Sequence, residues 1–318
     1  MNESTKFKHI HEESWDLPSS FDLYSTPKVH TILVCPTKEE DQNDPHNKYK
    51  VSSSSSCRID IECIEPTTPL DISNMSLSSK EYDGSGHCVW AGAFLLIQCM
   101  NEILNIIVPR FKNEEKLRNK FQMIELGCGT GIGQLALMSA ITLRLHLAVH
   151  GCFTDADPAV LSLCQRNCQL NNLSKDSYSI QEFTWGQDLT KYNVNTTPAN
   201  IVANTFDIVL ATDVLYDIDM LHPLFSSASQ LISSSSKNTP GIFILSHIRR
   251  ACYNDNNPPE AMENLEKYII DQGREHYGLS VYHVIRPPIA EKLSSQVLNF
   301  CSKQSFHGSA IFIFQKTT

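Results

Sequence analysis

The chain has 318 residues, 41% of them hydrophobic and 19% charged, and a formal net charge of −9. That length allows one large domain with an extension or two small ones, with enough apolar residues to bury a sizeable core. The acidic balance argues against a general grip on the phosphates of DNA or RNA, which needs clustered Lys and Arg, while a local basic patch stays open.

Met1 to Trp15 is polar and charged, and no run of 18 apolar residues exists, so neither a secretory signal nor a membrane span is expected. Two strand-like runs follow, Lys28 to Cys35 and Cys57 to Ile64, which predict a β-hairpin whose connection holds the flexible serine run Ser52 to Ser56. The pattern changes near Gly86, so residues 1–86 read as an N-terminal extension and 87–318 as the main domain. There, Trp90 to Val108 predicts a helix, a first strand ends at Leu126, and Ile132 to Leu143 is helical. A second strand ends at Asp155, and Pro158 to Asn171 is again helical. Further strands are expected at Gln181 to Phe183, Phe206 to Thr212, Ile242 to Ser246, Leu279 to Ile285 and Ala310 to Phe314, with a helix over Pro258 to Gly273. Seven strands with intervening helices predict an α/β, doubly wound, Rossmann-like sheet, its last pair forming an antiparallel hairpin at one edge. The eleven cysteines are odd in number and scattered without a CxxC pair, which suits reduced thiols of a cytosolic or nuclear protein. No metal site is expected. Cys164 and Cys168 share a helical face but supply only half a zinc shell, so they are read as buried packing.

The most telling stretch is Ile124-Glu125-Leu126-Gly127-Cys128-Gly129-Thr130-Gly131, an apolar run that breaks into three glycines before a helix. Glycines there let a ligand lie close to the backbone near a helix N-terminus, though a bare structural turn would read the same way. The dinucleotide fingerprint G-x-G-x-x-G fails in both registers, because Ile132 or Gln134 falls at the third glycine. Asp155 lies 24 residues past Gly131, where the second strand of a βαβ unit ends and an acidic residue accepts hydrogen bonds from ribose hydroxyls. Asp157, followed by Pro158, is read as the cap of the next helix.

The glycine spacing resembles motif I of the class I, seven-stranded methyltransferases that bind S-adenosylmethionine. That resemblance implies that Gly127, Gly129 and Gly131 form the cofactor turn and that Glu125 holds the amino-acid end. After the fourth strand, Asp213-Val214-Leu215-Tyr216 resembles the (Asp/Glu)-x-x-(Tyr/Phe) signature of the family 16 protein lysine methyltransferases, which act mostly on non-histone proteins. Val89-Trp90-Ala91-Gly92-Ala93 matches that family's element beside the cofactor, and Trp185-Gly186 matches one near the adenine, with a core aromatic as the other reading of Trp185. Thr212, closing the fourth strand, joins the cofactor-binding set. Ile59-Asp60-Ile61-Glu62, Thr68-Pro69-Leu70-Asp71 and Leu163-Cys164-Gln165-Arg166-Asn167 extend the likeness over about Ile59 to Ser246. Ser246-His247-Ile248-Arg249-Arg250 departs from the acidic-basic element expected after the fifth strand, so substrate choice is expected to differ.

The resemblance implies methyl transfer to a protein lysine, with Asp213 orienting the amine and Tyr216 forming an aromatic wall. Asp213 as a cap of the following helix, with Tyr216 in the core, is the structural alternative. Two other functions stay open: a noncatalytic scaffold of the same fold, and an amide or nucleobase N-methyltransferase. Intact Glu125, Asp155 and Asp213 disfavour the scaffold. The absence of Asn-Pro-Pro-Tyr disfavours the amide or nucleobase enzyme. The expected partner is a protein substrate, with no membrane and no general nucleic-acid binding, and the expected state a monomer in cytoplasm or nucleus.

Overall fold

The computed structural model describes residues 28–34, 57–64, 84–111, 120–189, 201–233, 240–249, 261, 264–287 and 308–317. The serine run, most of the expected helix start near Pro258 and the stretch joining the last two strands lie outside them. In chain order the elements are β1 (Lys28–Val34), β2 (Cys57–Cys63), α1 (Ala91–Gln98), α2 (Met100–Phe111), β3 (Phe121–Leu126), α3 (Ile132–Leu145), β4 (Val149–Asp155) and α4 (Pro158–Leu170). They continue with β5 (Tyr178–Glu182), β6 (Ile208–Thr212), α5 (Leu221–Leu231), β7 (Ile242–His247), α6 (Leu265–Tyr277), β8 (Leu279–Ile285) and β9 (Ala310–Lys316).

Seven strands form one sheet in the order β5-β4-β3-β6-β7-β9-β8. Neighbours from β5 to β7 pair in parallel, and β9 inserts antiparallel between β7 and β8. The period-two alternation of strand side chains splits the core into two layers. Met123, Ile208, Leu210, Ile242 and Ile244 pack with α1 to α4 on one face. Ile124, Leu126, Val209, Ala211, Phe243 and Leu245 pack with α5 and α6 on the other. Burial on both faces is why β6 reads as an unbroken apolar run.

Three expected elements differ from the observed ones. The single helix over Trp90 to Val108 is two, because the chain bends by 61° between the segments Ser85–Gln98 and Met100–Arg110. No Gly or Pro marks the break at Cys99. Residues Gly92 to Ile97 are all buried, whereas α2 carries an amphipathic face, so packing and not propensity sets the bend. The third strand of the main domain begins earlier, at Tyr178. It is an edge strand of intermediate burial and so lacks an apolar run to announce it. The helix expected over Pro258 to Gly273 runs on to Tyr277, and the Asn264 side chain accepts from Lys267 N at 3.0 Å as the cap of its Leu265–Tyr277 part.

The two strands of the N-terminal extension pair antiparallel in full register, from Lys28 opposite Cys63 to Val34 opposite Cys57. Their inward residues Ile32, Val34, Ile59, Ile61 and Cys63 are buried in the same layer as α1 to α4. Side chains of α4 hold the exposed backbone of β2. Asn167 Oδ1 accepts from Glu62 N at 2.7 Å, and Asn167 Nδ2 donates to Glu62 O at 3.1 Å. One turn on, Asn171 makes the same pair of bonds to Asp60 N and O, at 2.9 and 2.6 Å. Arg166 adds a bidentate pair to the Glu62 carboxylate at 3.1 and 3.3 Å. Two carboxamides at i and i+4 thus imitate the edge of a neighbouring strand.

Candidate functional site

Strand order reverses between β3 and β6, and ligands of open parallel sheets bind beyond the carboxyl ends of strands at such a point. Here β3 ends in Glu125-Leu126, β4 in Asp155 and β6 in Thr212, with Asp213 next. A hydrogen bond crosses the switch, from Thr212 Oγ1 to Glu125 Oε1 at 2.9 Å.

The turn from β3 to α3 uses positive φ at Gly127 (70°), Gly129 (52°) and Gly131 (81°), a conformation that costs a side-chain-bearing residue about 1 to 2 kcal/mol. The missing Cβ atoms make room for protein. A Cβ on Gly127 would lie 2.8 Å from the Trp185 ring and 3.0 Å from Val214, and one on Gly131 would lie 2.6 Å from Cys164 Sγ. The turn can therefore meet a ligand only with its backbone, and Trp185 is a half-buried ring laid against it. Within the turn, Cys128 N donates to Thr154 O at 2.7 Å and Gly129 N to Asp155 Oδ2 at 3.1 Å. Asn167 Nδ2 also donates to Thr130 O at 2.9 Å, so the side chain that docks β2 also braces the glycine turn.

Three carboxylates converge here, each engaged with backbone. Glu125 is fully buried, and its Oε2 accepts from Gln134 N in the first turn of α3 at 3.1 Å. The N-cap of α3, Gly131, has no side chain to offer, so the strand before it supplies the cap. Asp155 accepts from Gly129 N and, at 3.2 Å, from Asp157 N, while Asp157 caps α4 through Ala159 N at 2.8 Å as expected. Burial raises the Asp155 carboxyl above its ordinary range against the pull of these N–H groups. Asp213, 5% exposed with φ 58°, accepts through Oδ2 from Gly92 N at 3.0 Å. It thus caps α1, whose own N-cap residue, Trp90, makes no side-chain capping bond. The expected cap of the following turn is instead Asp217, which accepts from Asp219 N at 3.0 Å. Tyr216 is 38% exposed, which removes the core-tyrosine reading. Trp90 Nε1 donates to Ser85 O at 2.7 Å, in a short segment whose Gly86 carbonyl lies over Gly129.

The acceptor set suits a cationic ligand. Glu125 and Asp155 end adjacent strands, both are pushed toward the neutral form by burial, and no Lys or Arg among the described residues offsets either. A thiolate nucleophile does not fit. Burial pushes the Cys128 thiol up to about 11, and Cys164 and Cys168 lie in the core beside it, as their packing role requires. Gln134, in the first turn of α3, is fully buried with neither side-chain Oε1 nor Nε2 hydrogen-bonded, lodged in the space left by Gly151. Gln134→Met keeps the shape and removes an unpaired amide, so it is expected to raise stability by about 1 to 2 kcal/mol, read as a higher urea midpoint at unchanged slope.

Residues 69–267 match the family described as lysine methyltransferase. Methyltransferase-like protein 22 of Mus musculus is 27% identical over 267 residues, covering 76% of this chain and 57% of that protein. The chain thus spans little more than half the length of that relative. Among solved structures, geranyl diphosphate C-methyltransferase from Streptomyces coelicolor A3(2), crystallised with S-adenosyl-L-homocysteine, is 12% identical, with 76% of this chain and 87% of that chain covered and a TM-score of 0.39. The DszA carbon methyltransferase is 16% identical, with 76% and 56% covered and a TM-score of 0.41.

Proposed function

This chain belongs to the lysine methyltransferase family, and we propose that it is an S-adenosylmethionine-dependent methyltransferase acting on lysine side chains of a non-histone protein. The observation that carries this reading is the placement of Asp213 at the end of β6, one residue from Thr212, which is bonded to Glu125 beside the glycine turn. In this reading the Gly127 to Gly131 turn, Glu125, Thr212, Trp90 and Trp185 enclose the cofactor, and Asp155 takes the ribose hydroxyls. When bound, the cofactor supplies an electrophilic methyl on a sulfonium, open to in-line attack by a neutral amine.

A lysine near pH 7 is neutral only about once in a thousand, a cost of roughly 4 to 5 kcal/mol. A carboxylate raises that cost by stabilising the ammonium, so Asp213 serves by orienting the amine and accepting its hydrogen bonds. Tyr216, exposed beyond it, offers an aromatic wall to the lysine stem. The same reading takes a protein substrate and a monomeric enzyme of cytoplasm or nucleus, supported by the free thiols of the described cysteines.

Incubation with methyl-labelled S-adenosylmethionine and a proteome extract, followed by mass spectrometry, is expected to find label on lysine Nζ. Label confined to nucleic acid, amides or small molecules would sink the proposal. In calorimetry the protein is expected to bind S-adenosylmethionine and its demethylated product but not NAD.

A pH dependence follows from Glu125, whose carboxyl burial pushes up to about 8 from an ordinary 4.5, against the bonds from Thr212 and Gln134. Between those values the folded chain holds a proton that the unfolded chain has lost, so the free protein loses stability as pH rises from 4.5 to about 8. A cation bound nearby lowers that pKa again, so binding releases a proton and affinity rises with pH until it levels near 8. Calorimetry in two neutral buffers of different ionisation enthalpy is expected to show proton release on S-adenosylmethionine binding that Glu125→Gln abolishes. Equal heats in both buffers would separate Glu125 from the cofactor's charge.

A further inference from the structure

Three residues from distant parts of the chain, Gly92, Asp213 and Ser246, close a hydrogen-bonded ring. Gly92 N donates to Asp213 Oδ2 at 3.0 Å, Ser246 Oγ donates to Gly92 O at 2.7 Å, and Asp213 N donates to Ser246 O at 2.8 Å. Every member is buried, Ser246 completely. Ser246 pairs with Thr212 in the β6–β7 ladder, so the ring sits one residue beyond the last regular pair of β6.

The ring accounts for two local oddities. Asp213 holds φ at 58°, a left-handed conformation that a residue with a side chain keeps only when its surroundings over-determine it. Its own N–H, given to Ser246, and its carboxylate, given to Gly92, fix it at both ends. Position 92 is a glycine because the chains touch there. A Cβ would lie 2.6 Å from Asp213 Cβ and 2.8 Å from Asp213 N. With Gly92 gripped at N–H by one residue and at C=O by the other, displacement of the α1 start displaces the carboxylate, and the Ser246 hydroxyl is what limits that displacement.

We propose that Ser246 is a positioning residue for methyl transfer, holding the Asp213 carboxylate in register by clamping the Gly92 carbonyl at the start of α1. This rests on the reading of Asp213 as the group that orients the acceptor amine. It assigns a role to the serine near the carboxyl end of β7, next to His247. Among the described residues Ser246 is hydrogen-bonded to neither the glycine turn nor Glu125, so its effect falls on the transfer step and spares cofactor affinity.

The test compares wild type, Ser246→Ala, Ser246→Cys, Asp213→Ala and the Ser246→Ala/Asp213→Ala pair in the full chain. Three readouts are taken: the rate of methyl incorporation from tritiated S-adenosylmethionine into a proteome extract at saturating cofactor, the cofactor dissociation constant by calorimetry, and amide exchange over residues 90–93. Ser246→Ala is expected to cut the rate about ten- to a hundredfold, the scale of a small misplacement of a reacting group, with the dissociation constant within about threefold of wild type. Ser246→Cys, a weaker donor of similar size, is expected to fall between. In the pair, Ser246→Ala is expected to add nothing to Asp213→Ala, since there is no carboxylate left to hold. Amide exchange over residues 90–93 is expected to quicken in Ser246→Ala while α3 stays protected, a reading that needs no substrate. An unchanged rate in Ser246→Ala beside a collapsed rate in Asp213→Ala would overturn the positioning role and leave the Asp213 reading standing. An unchanged rate in Asp213→Ala would overturn that reading, and the proposal with it. Equal losses of rate and cofactor affinity, or unchanged exchange at residues 90–93, would reduce Ser246 to ordinary packing.

Discussion

Asp213→Ala is expected to lower lysine methylation by about a hundredfold or more, while the affinity for S-adenosylmethionine stays within a few-fold of wild type. Alanine confounds two losses. It removes the cap on Gly92 N, worth about 1 kcal/mol, and it places at φ 58° a residue that tolerates the left-handed region less well than Asp or Asn. Asp213→Asn is the sharper variant, because the carboxamide oxygen can still accept from Gly92 and Asn keeps the backbone conformation as readily. Only the charge and part of the acceptor capacity are lost. Normal folding and cofactor binding with severely reduced turnover in Asp213→Asn is the expected outcome. Full activity in that variant would return Asp213 to a cap of α1 and nothing more.

Asp155→Ala is expected to weaken cofactor binding by about 2 to 4 kcal/mol, tens- to thousandfold in dissociation constant, through two lost bonds from ribose hydroxyls to a charged acceptor. The sequence alone suggests that the fold would be untouched. The structure says otherwise, because Asp155 also pins Gly129 N and Asp157 N, so a fall in stability of about 1 to 2 kcal/mol accompanies the change. Calorimetry and a urea melt on the same preparation separate the two. An unchanged dissociation constant beside a lowered midpoint would make Asp155 a brace of the glycine turn only.

What was legible in the sequence is what local chemistry dictates. Gly127, Gly129 and Gly131 announce a turn because only glycine adopts their φ values cheaply, Asp157-Pro158 announces a helix start, and β6 announces itself by burial on both faces. Illegible were the contacts between residues far apart in the chain. Nothing in Glu125 shows that it caps α3, nor in Asp213 that it caps a helix begun 122 residues earlier at Ala91, since a strand-end carboxylate finds its helix only through topology. The bend at Cys99 and the edge strand beginning at Tyr178 escaped for the same reason: packing decided them against weak or absent local signals. The text around Asn167 was legible as a family likeness but not as a mechanism, because its carboxamide speaks to the backbone of residue 62, not to any side chain.

That last contact bears on how the chain is made. The β1–β2 ribbon emerges from the ribosome before α4, and the groups that receive its apolar face and edge, Asn167 and Asn171 above all, follow Glu62 by 105 residues and Asp60 by 111. At ordinary synthesis rates that interval is roughly 5 to 20 s. For that time Ile32, Val34, Ile59 and Ile61 have no completed core to enter, and a two-stranded ribbon is not stable alone. The ribbon therefore gains its stability only when the later segments have folded. Its docking onto α4 comes after the first βαβ unit exists, which makes bracing of the glycine turn through Asn167 a late event in the folding of the chain.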